Sequence, residues 1–122
     1  VAYDEDLAAR IREHLAATPD VGERAMFGGL AFLVSGHMAV AASREGGILV
    51  RVDPSTVSEL LRRTKAVVAV MSGRPMTGWL RVAAADVHTS RQLARWIDLS
   101  ASYAATLPPR RAKASRRRAA PD

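Results

Sequence analysis

A chain of 122 residues, 48% hydrophobic and 25% charged, can build one domain with a substantial core but not two. Cysteine is absent, which excludes disulfides, thiolate chemistry and every cysteine-based zinc or iron–sulfur site. The formal net charge of +6 is unevenly placed: residues 108–122 carry six Lys and Arg against Asp122, leaving 12 basic and 11 acidic side chains in residues 1–107.

The body is therefore nearly neutral, and the basic character belongs to the tail PPRRAKASRRRAAPD. With two Trp, two Tyr and two Phe, the core must rest on small aliphatic side chains. No apolar stretch approaches the roughly 20 residues that span a bilayer, so no membrane partner is expected. The opening VAYDEDLAAR is acidic and amphipathic, unlike a signal peptide, and a cytoplasmic location is expected. Val1 reads as a non-standard start codon translated literally, which would make this the whole protein.

The first element is a helix capped by Asp4 and running to about Ala17, with Leu7, Ile11 and Leu15 forming one apolar stripe. Thr18-Pro19-Asp20 ends it, because proline disfavours helical geometry in the residue before it. Three strands follow. Leu30–Val34 and His37–Ser43 are separated by Ser35-Gly36, a gap suited to a tight hairpin. Gly46-Gly47 then leads into Ile48–Val52, where Ile48, Val50 and Val52 alternate with Leu49 and Arg51.

Asp53-Pro54 signals a helix start, with the helix continuing to about Arg63 and turning Val57, Leu60 and Leu61 inward. Ala66–Met71 reads as a fourth strand and Gly78–Val82 as a fifth, joined through Ser72-Gly73-Arg74-Pro75-Met76. Thr89 and Gln92 have capping-box spacing before a last helix, whose stripe is Leu93, Trp96, Ile97, Ala101, Ala104 and Leu107. Pro108-Pro109 stops it, and the tail beyond lacks the apolar content to fold alone. The expectation is an α+β domain over residues 1–107, two layers in the order α-β-β-β-α-β-β-α with an antiparallel sheet, followed by a disordered basic tail over 108–122.

Chemical motifs are sparse. A phosphate loop needs glycines between a strand and a helix N-terminus, yet Gly28-Gly29 precedes LAFLV and Gly46-Gly47 precedes ILVRV, both strand-like. His14, His37 and His88 are far apart, and Asp4-Glu5-Asp6 sits where a helix dipole favours acidic residues, so neither a metal site nor a cofactor is expected. No catalytic residue is assigned. Arg74 and Trp79 stand out in SGRPMTGW, a shaped connection suited to holding a partner or ligand, with His37 as a further residue of such a pocket. The tail residues Arg110, Arg111, Lys113, Arg116, Arg117 and Arg118 have the composition of a non-specific nucleic-acid arm. Leu33, Leu49 and Leu99 fall where they could form a homodimer surface.

The combination of Met26-Phe27-Gly28-Gly29, a hairpin turning at Gly36, and Gly73-Arg74-Pro75-Met76 with Trp79 resembles the TfoX/Sxy N-terminal domain family over residues 4–107. That resemblance implies the same α-β-β-β-α-β-β-α order with an antiparallel sheet. It also implies a link to transcription regulation, since the family's competence regulators act together with a cyclic-AMP receptor protein and carry a second, C-terminal domain. This chain reads as a stand-alone version with a basic tail in that place. Three functional readings stay open: a non-enzymatic regulatory or interaction domain with a protein partner, a nucleic-acid-binding protein acting through its tail, and a ligand binder or enzyme with a pocket near Arg74 and Trp79.

Overall fold

The computed structural model describes residues 3–26 and 28–108. Helix α1 spans Glu5–His14, and the Asp4 carboxylate accepts a hydrogen bond from the Leu7 N–H at 3.1 Å, as an N-cap should. Strands β1 (Val21–Met26), β2 (Gly29–Val34), β3 (His37–Ala42) and β4 (Ile48–Arg51) follow. A 3-10 turn over Pro54–Thr56 precedes α2 (Val57–Arg63), then come β5 (Val67–Met71) and β6 (Arg74–Val82). A second 3-10 turn, Ala84–Val87, leads into α3 (Ser90–Thr106), which opens with the complete Thr89–Gln92 capping box.

The six strands form one sheet in the order β1-β2-β3-β4-β6-β5, with every neighbouring pair antiparallel. The α+β class and antiparallel sheet expected from the sequence are therefore present, with one strand more than periodicity revealed. That strand, β1, reads VGERAM, and its middle is exposed on both sides. An edge strand without apolar alternation leaves no two-residue period to detect.

Two other boundaries differ. Helix α1 stops at His14 rather than near Ala17. The segment from Ser72 to Met76 is not a shaped loop: only Ser72-Gly73 turn, with φ of 52° and 77°, and β6 already begins at Arg74. Ser35-Gly36 has the same signature, φ 52° and 83°, the two positive values that match the twist of hairpin strands.

Helices α1 and α3 lie over one face of the sheet. Strand alternation sends Leu30, Phe32, Val40, Ile48, Val50, Leu80 and Val82 to that face, where they pack with Leu7, Ile11, Leu93, Trp96 and Ile97. Val57, Leu60 and Leu61 of α2 are half-buried against the same core. Polar clasps hold the layers in register. The Arg10 guanidinium donates to the Val87 and His88 carbonyl oxygens at 3.0 Å each, joining α1 to the approach to α3. Arg12 grips Glu23 at 2.6 and 2.9 Å, tying α1 to the edge strand β1.

Glycine is structurally required where backbones nearly touch. A Cβ on Gly47 would sit 2.1 Å from the Val82 carbonyl oxygen, and Gly47 also has φ of 70°. Gly73 shares the positive φ but faces open space. Gly73→Ala should therefore cost about 1 kcal/mol for the dihedral alone, and Gly47→Ala about 3 kcal/mol or more; urea denaturation measures both.

The Arg12 hydrogen bond holds the Glu23 carboxyl below the usual carboxylate range. A depressed folded-state pKa adds stability above the unfolded-state value, and that stability is lost as pH falls through the depressed one. Glu23→Gln should thus lose less than about 1 kcal/mol at neutral pH, this being an exposed pair, and the deficit should vanish at about pH 2. Parallel urea titrations at the two pH values test this.

Candidate functional site

The face of the sheet opposite α1 and α3 is crossed by a row of cross-strand neighbours. Ala31 lies opposite Ala41, Ala41 opposite Leu49, and Leu49 opposite Arg81, so β2, β3, β4 and β6 each contribute one residue. Two adjacent alanines in such a row leave a hollow that larger side chains would fill. Ala31 and Ala41 are nonetheless only 1% and 7% exposed, so other groups close over them.

Those groups are chiefly methionines. The hollow is a cavity of about 170 Å³, and Met26, Met38, Met71 and Met76, all four methionines of the chain, line it together with Trp79. Met26 ends β1 and Met71 ends β5, the two edge strands. In a flat six-stranded sheet those edges would lie roughly 24 Å apart, at about 4.8 Å per strand spacing. Both can line one small cavity only because the sheet curls strongly around it.

The curl has local causes. Between the pairs Val68–Leu80 and Val70–Pro75, β5 contributes only Ala69 while β6 contributes Met76, Thr77, Gly78 and Trp79. This irregularity includes Gly78 at φ 81°, and Met76, Trp79 and Ala69 all reach the cavity. At the opposite side, Gly29 approaches β3 so closely that a Cβ would fall 2.2 Å from the Ala42 carbonyl oxygen. Gly28, at φ 77°, lies against the Arg44 side chain, which a Cβ would crowd at 2.7 Å.

Polar groups in the lining come from Ser43, Arg44 and Glu45, just after β3, and from Arg81 of β6. Arg81 and Glu45 form an ion pair. Ser43 is only 9% exposed, and its Oγ accepts a hydrogen bond from the Glu45 N–H at 3.1 Å. Among the described residues no group of three or more His, Asp and Glu is placed to hold a metal, and no helix is long and apolar enough to cross a membrane.

The residues singled out from the sequence divide sharply. Met26, Gly29, Met76 and Trp79 converge on the cavity, and Gly28 supports Arg44 beside it. Arg74 does not: it is exposed at the start of β6, next to the hairpin turn, and neither it nor His37 lines the cavity with Trp79. His37 Nε2 instead donates to the Pro108 carbonyl oxygen at 2.6 Å, clasping β3 to the chain just after α3. Gly36 and Gly73 serve the two hairpin turns, and Pro75 lies in β6 beside a separate groove near Pro54. Leu33 is half-buried, Leu49 lines the cavity, and Leu99 is exposed on α3. Phe27 and the tail residues Arg110, Arg111, Lys113, Arg116, Arg117 and Arg118 lie outside the described residues.

Sequence reasoning missed Met38, Met71, Ala31, Ala41, Ser43, Arg44 and Arg81. The available signal was the methionine count, since four soft side chains in a body poor in aromatics invite the question of where they gather.

These features define a class: a small α+β domain with helices on one sheet face and a methionine-lined hollow on the other. The model of the TfoX N-terminal domain matches residues 13–104, most of the chain, and the protein belongs to that family. No individually curated protein matches it.

Removing the Trp79 indole from the cavity wall should destabilise the domain by about 2 kcal/mol, because the side chain is half-buried. Arg74→Ala should stay within about 0.5 kcal/mol of the parent in the same urea titration.

Proposed function

We propose that this chain is a non-enzymatic regulatory or interaction domain that presents the helix-free face of its sheet to a protein partner. One observation carries the reading: the uncovered face is concave and apolar, with all the methionines of the chain gathered around a floor of alanine. Methionine surfaces adapt to varied apolar groups, since the side chain is unbranched and polarisable. Val70 and Val67 extend the apolar surface outward along β5, at 58% and 54% exposed. Membership of the TfoX N-terminal domain family supports a setting in transcription regulation.

The partner-facing role falls to the sheet face rather than to Arg74, which stands apart from it. In-cell crosslinking of the tagged full chain, followed by capture and identification, tests the assignment. Val70→Glu places a charge on an exposed position of the rim and should leave folding intact. A partner recovered with the parent and with Arg74→Ala, but lost with Val70→Glu, is the expected outcome. Identical recovery from parent and Val70→Glu would remove the face from the interaction.

A further inference from the structure

The geometry points to the methionine-lined cavity as a binding site for a small apolar carboxylate, a ring or short branched chain bearing one anionic group. This rests on reading the helix-free face as a binding surface and assigns its hollow a ligand of its own.

Size sets the apolar body. At about 170 Å³ the cavity is close to the roughly 150 Å³ of an apolar cavity that takes up benzene, so a six-membered ring with one or two further carbons is near the limit. The walls suit such a group. Met26, Met38, Met71 and Met76 offer thioethers and methyl groups, and Trp79 offers an aromatic face against which a ring can pack. Ala31 and Ala41 make a fixed floor in the middle of the sheet, so the depth of the site is set by backbone rather than by mobile side chains.

Charge sets the head group. Arg44, Glu45 and Arg81 in the lining sum to +1, which a monoanion balances and a dianion would overshoot. Glu45 already pairs with Arg81, and among the described residues Arg44 has no carboxylate partner. Arg44 is held by packing against Gly28 rather than by an ion pair.

Ser43 provides the independent observation. It is nine-tenths buried and lines the cavity, and its Oγ uses one lone pair to accept from the Glu45 N–H. Among the described residues its own hydroxyl hydrogen has no acceptor. A buried donor without a partner is costly, and a carboxylate oxygen entering the cavity would satisfy it. Ser43 and Arg44 both line the cavity, where the hydroxyl and the guanidinium can each donate to a carboxylate, the latter by a charge-assisted hydrogen bond.

The test uses the full chain labelled with methyl-13C methionine, because all four of its methionines line the cavity. Phenylacetate and the neutral phenylacetamide serve as probes, followed by methyl resonances and by calorimetry. Phenylacetate should shift the methionine signals saturably, with affinity at least tenfold above that of phenylacetamide. Arg44→Gln, an exposed position, should lower phenylacetate affinity about tenfold and leave phenylacetamide unchanged. Ala41→Leu, which fills the floor, should abolish both while circular dichroism and the remaining amide spectrum stay native. Shifts that fail to saturate, or that persist in a folded Ala41→Leu protein, overturn the cavity as a ligand site. Equal affinities for the acid and the amide overturn its anionic end. Because binding is read on purified protein, a chain that ignores both probes yet loses its captured partner on Val70→Glu defeats this inference alone.

Discussion

Every strand of the sheet sends alternate residues to opposite faces, but α1 and α3 cover only one of those faces. The core face is satisfied in the usual way, by Phe32, Ile48 and Leu80 meeting Ile11, Leu93 and Ile97, each large side chain contributing on the order of 1.5–3 kcal/mol when fully buried. The other face must dispose of its apolar residues without a helical lid. Curvature is the solution found here. By curling, the sheet brings its own edges toward each other, so that Met26 from β1 and Met71 from β5 shelter alanines that would otherwise face water. The cavity is what remains when a curled sheet covers itself incompletely.

That view gives three of the glycines a related job. Gly29 lets β2 pass close to Ala42, Gly47 lets the start of β4 pass close to Val82, and Gly78 allows the irregular stretch of β6 opposite Ala69. Each sits where the sheet bends or where strand ends converge, and none belongs to a phosphate loop. The stretch around Met26–Gly29 and the stretch around Gly73–Trp79 are distant in sequence because they come from opposite sides of the sheet. They meet in space because the sheet curls.

What could be read from the sequence follows from the range of the forces involved. Helix α3 was legible because a capping box and a 3.6-residue stripe are local, and the β2–β3 hairpin because Ser35-Gly36 is itself the turn. Strand β1 was not, since its pairing with β2 is recorded in β2 rather than in its own polar residues. The extent of the β5–β6 connection was hidden for a related reason: Gly73 and Pro75 look like loop chemistry, yet the turn takes two residues and the ladder resumes at once at Arg74. The cavity was beyond local reading altogether. It depends on the register that aligns Ala31, Ala41, Leu49 and Arg81 across four strands, and a shift of one residue in any of them would turn that row toward the core.

The polar side chains sharpen the contrast between the two faces. Arg10, Arg12, His37, Asp53 and Thr89 are committed to carbonyl groups, carboxylates or backbone N–H groups that hold elements together. Asp53, for instance, is held below the usual carboxylate range by the Ser55 backbone N–H and hydroxyl, a capping arrangement at the entrance to α2. Around the cavity the arrangement differs: among the described residues the buried Ser43 hydroxyl has no acceptor, and Arg44 rests against Gly28 with no carboxylate partner. What sets Ser43 and Arg44 apart from the other polar side chains without a partner is their place in the lining of an apolar hollow, Ser43 being buried there as well. The alanine floor fixes the depth of that hollow while the methionine walls can repack, so on the reading proposed above shape would select on length and charge on the head group.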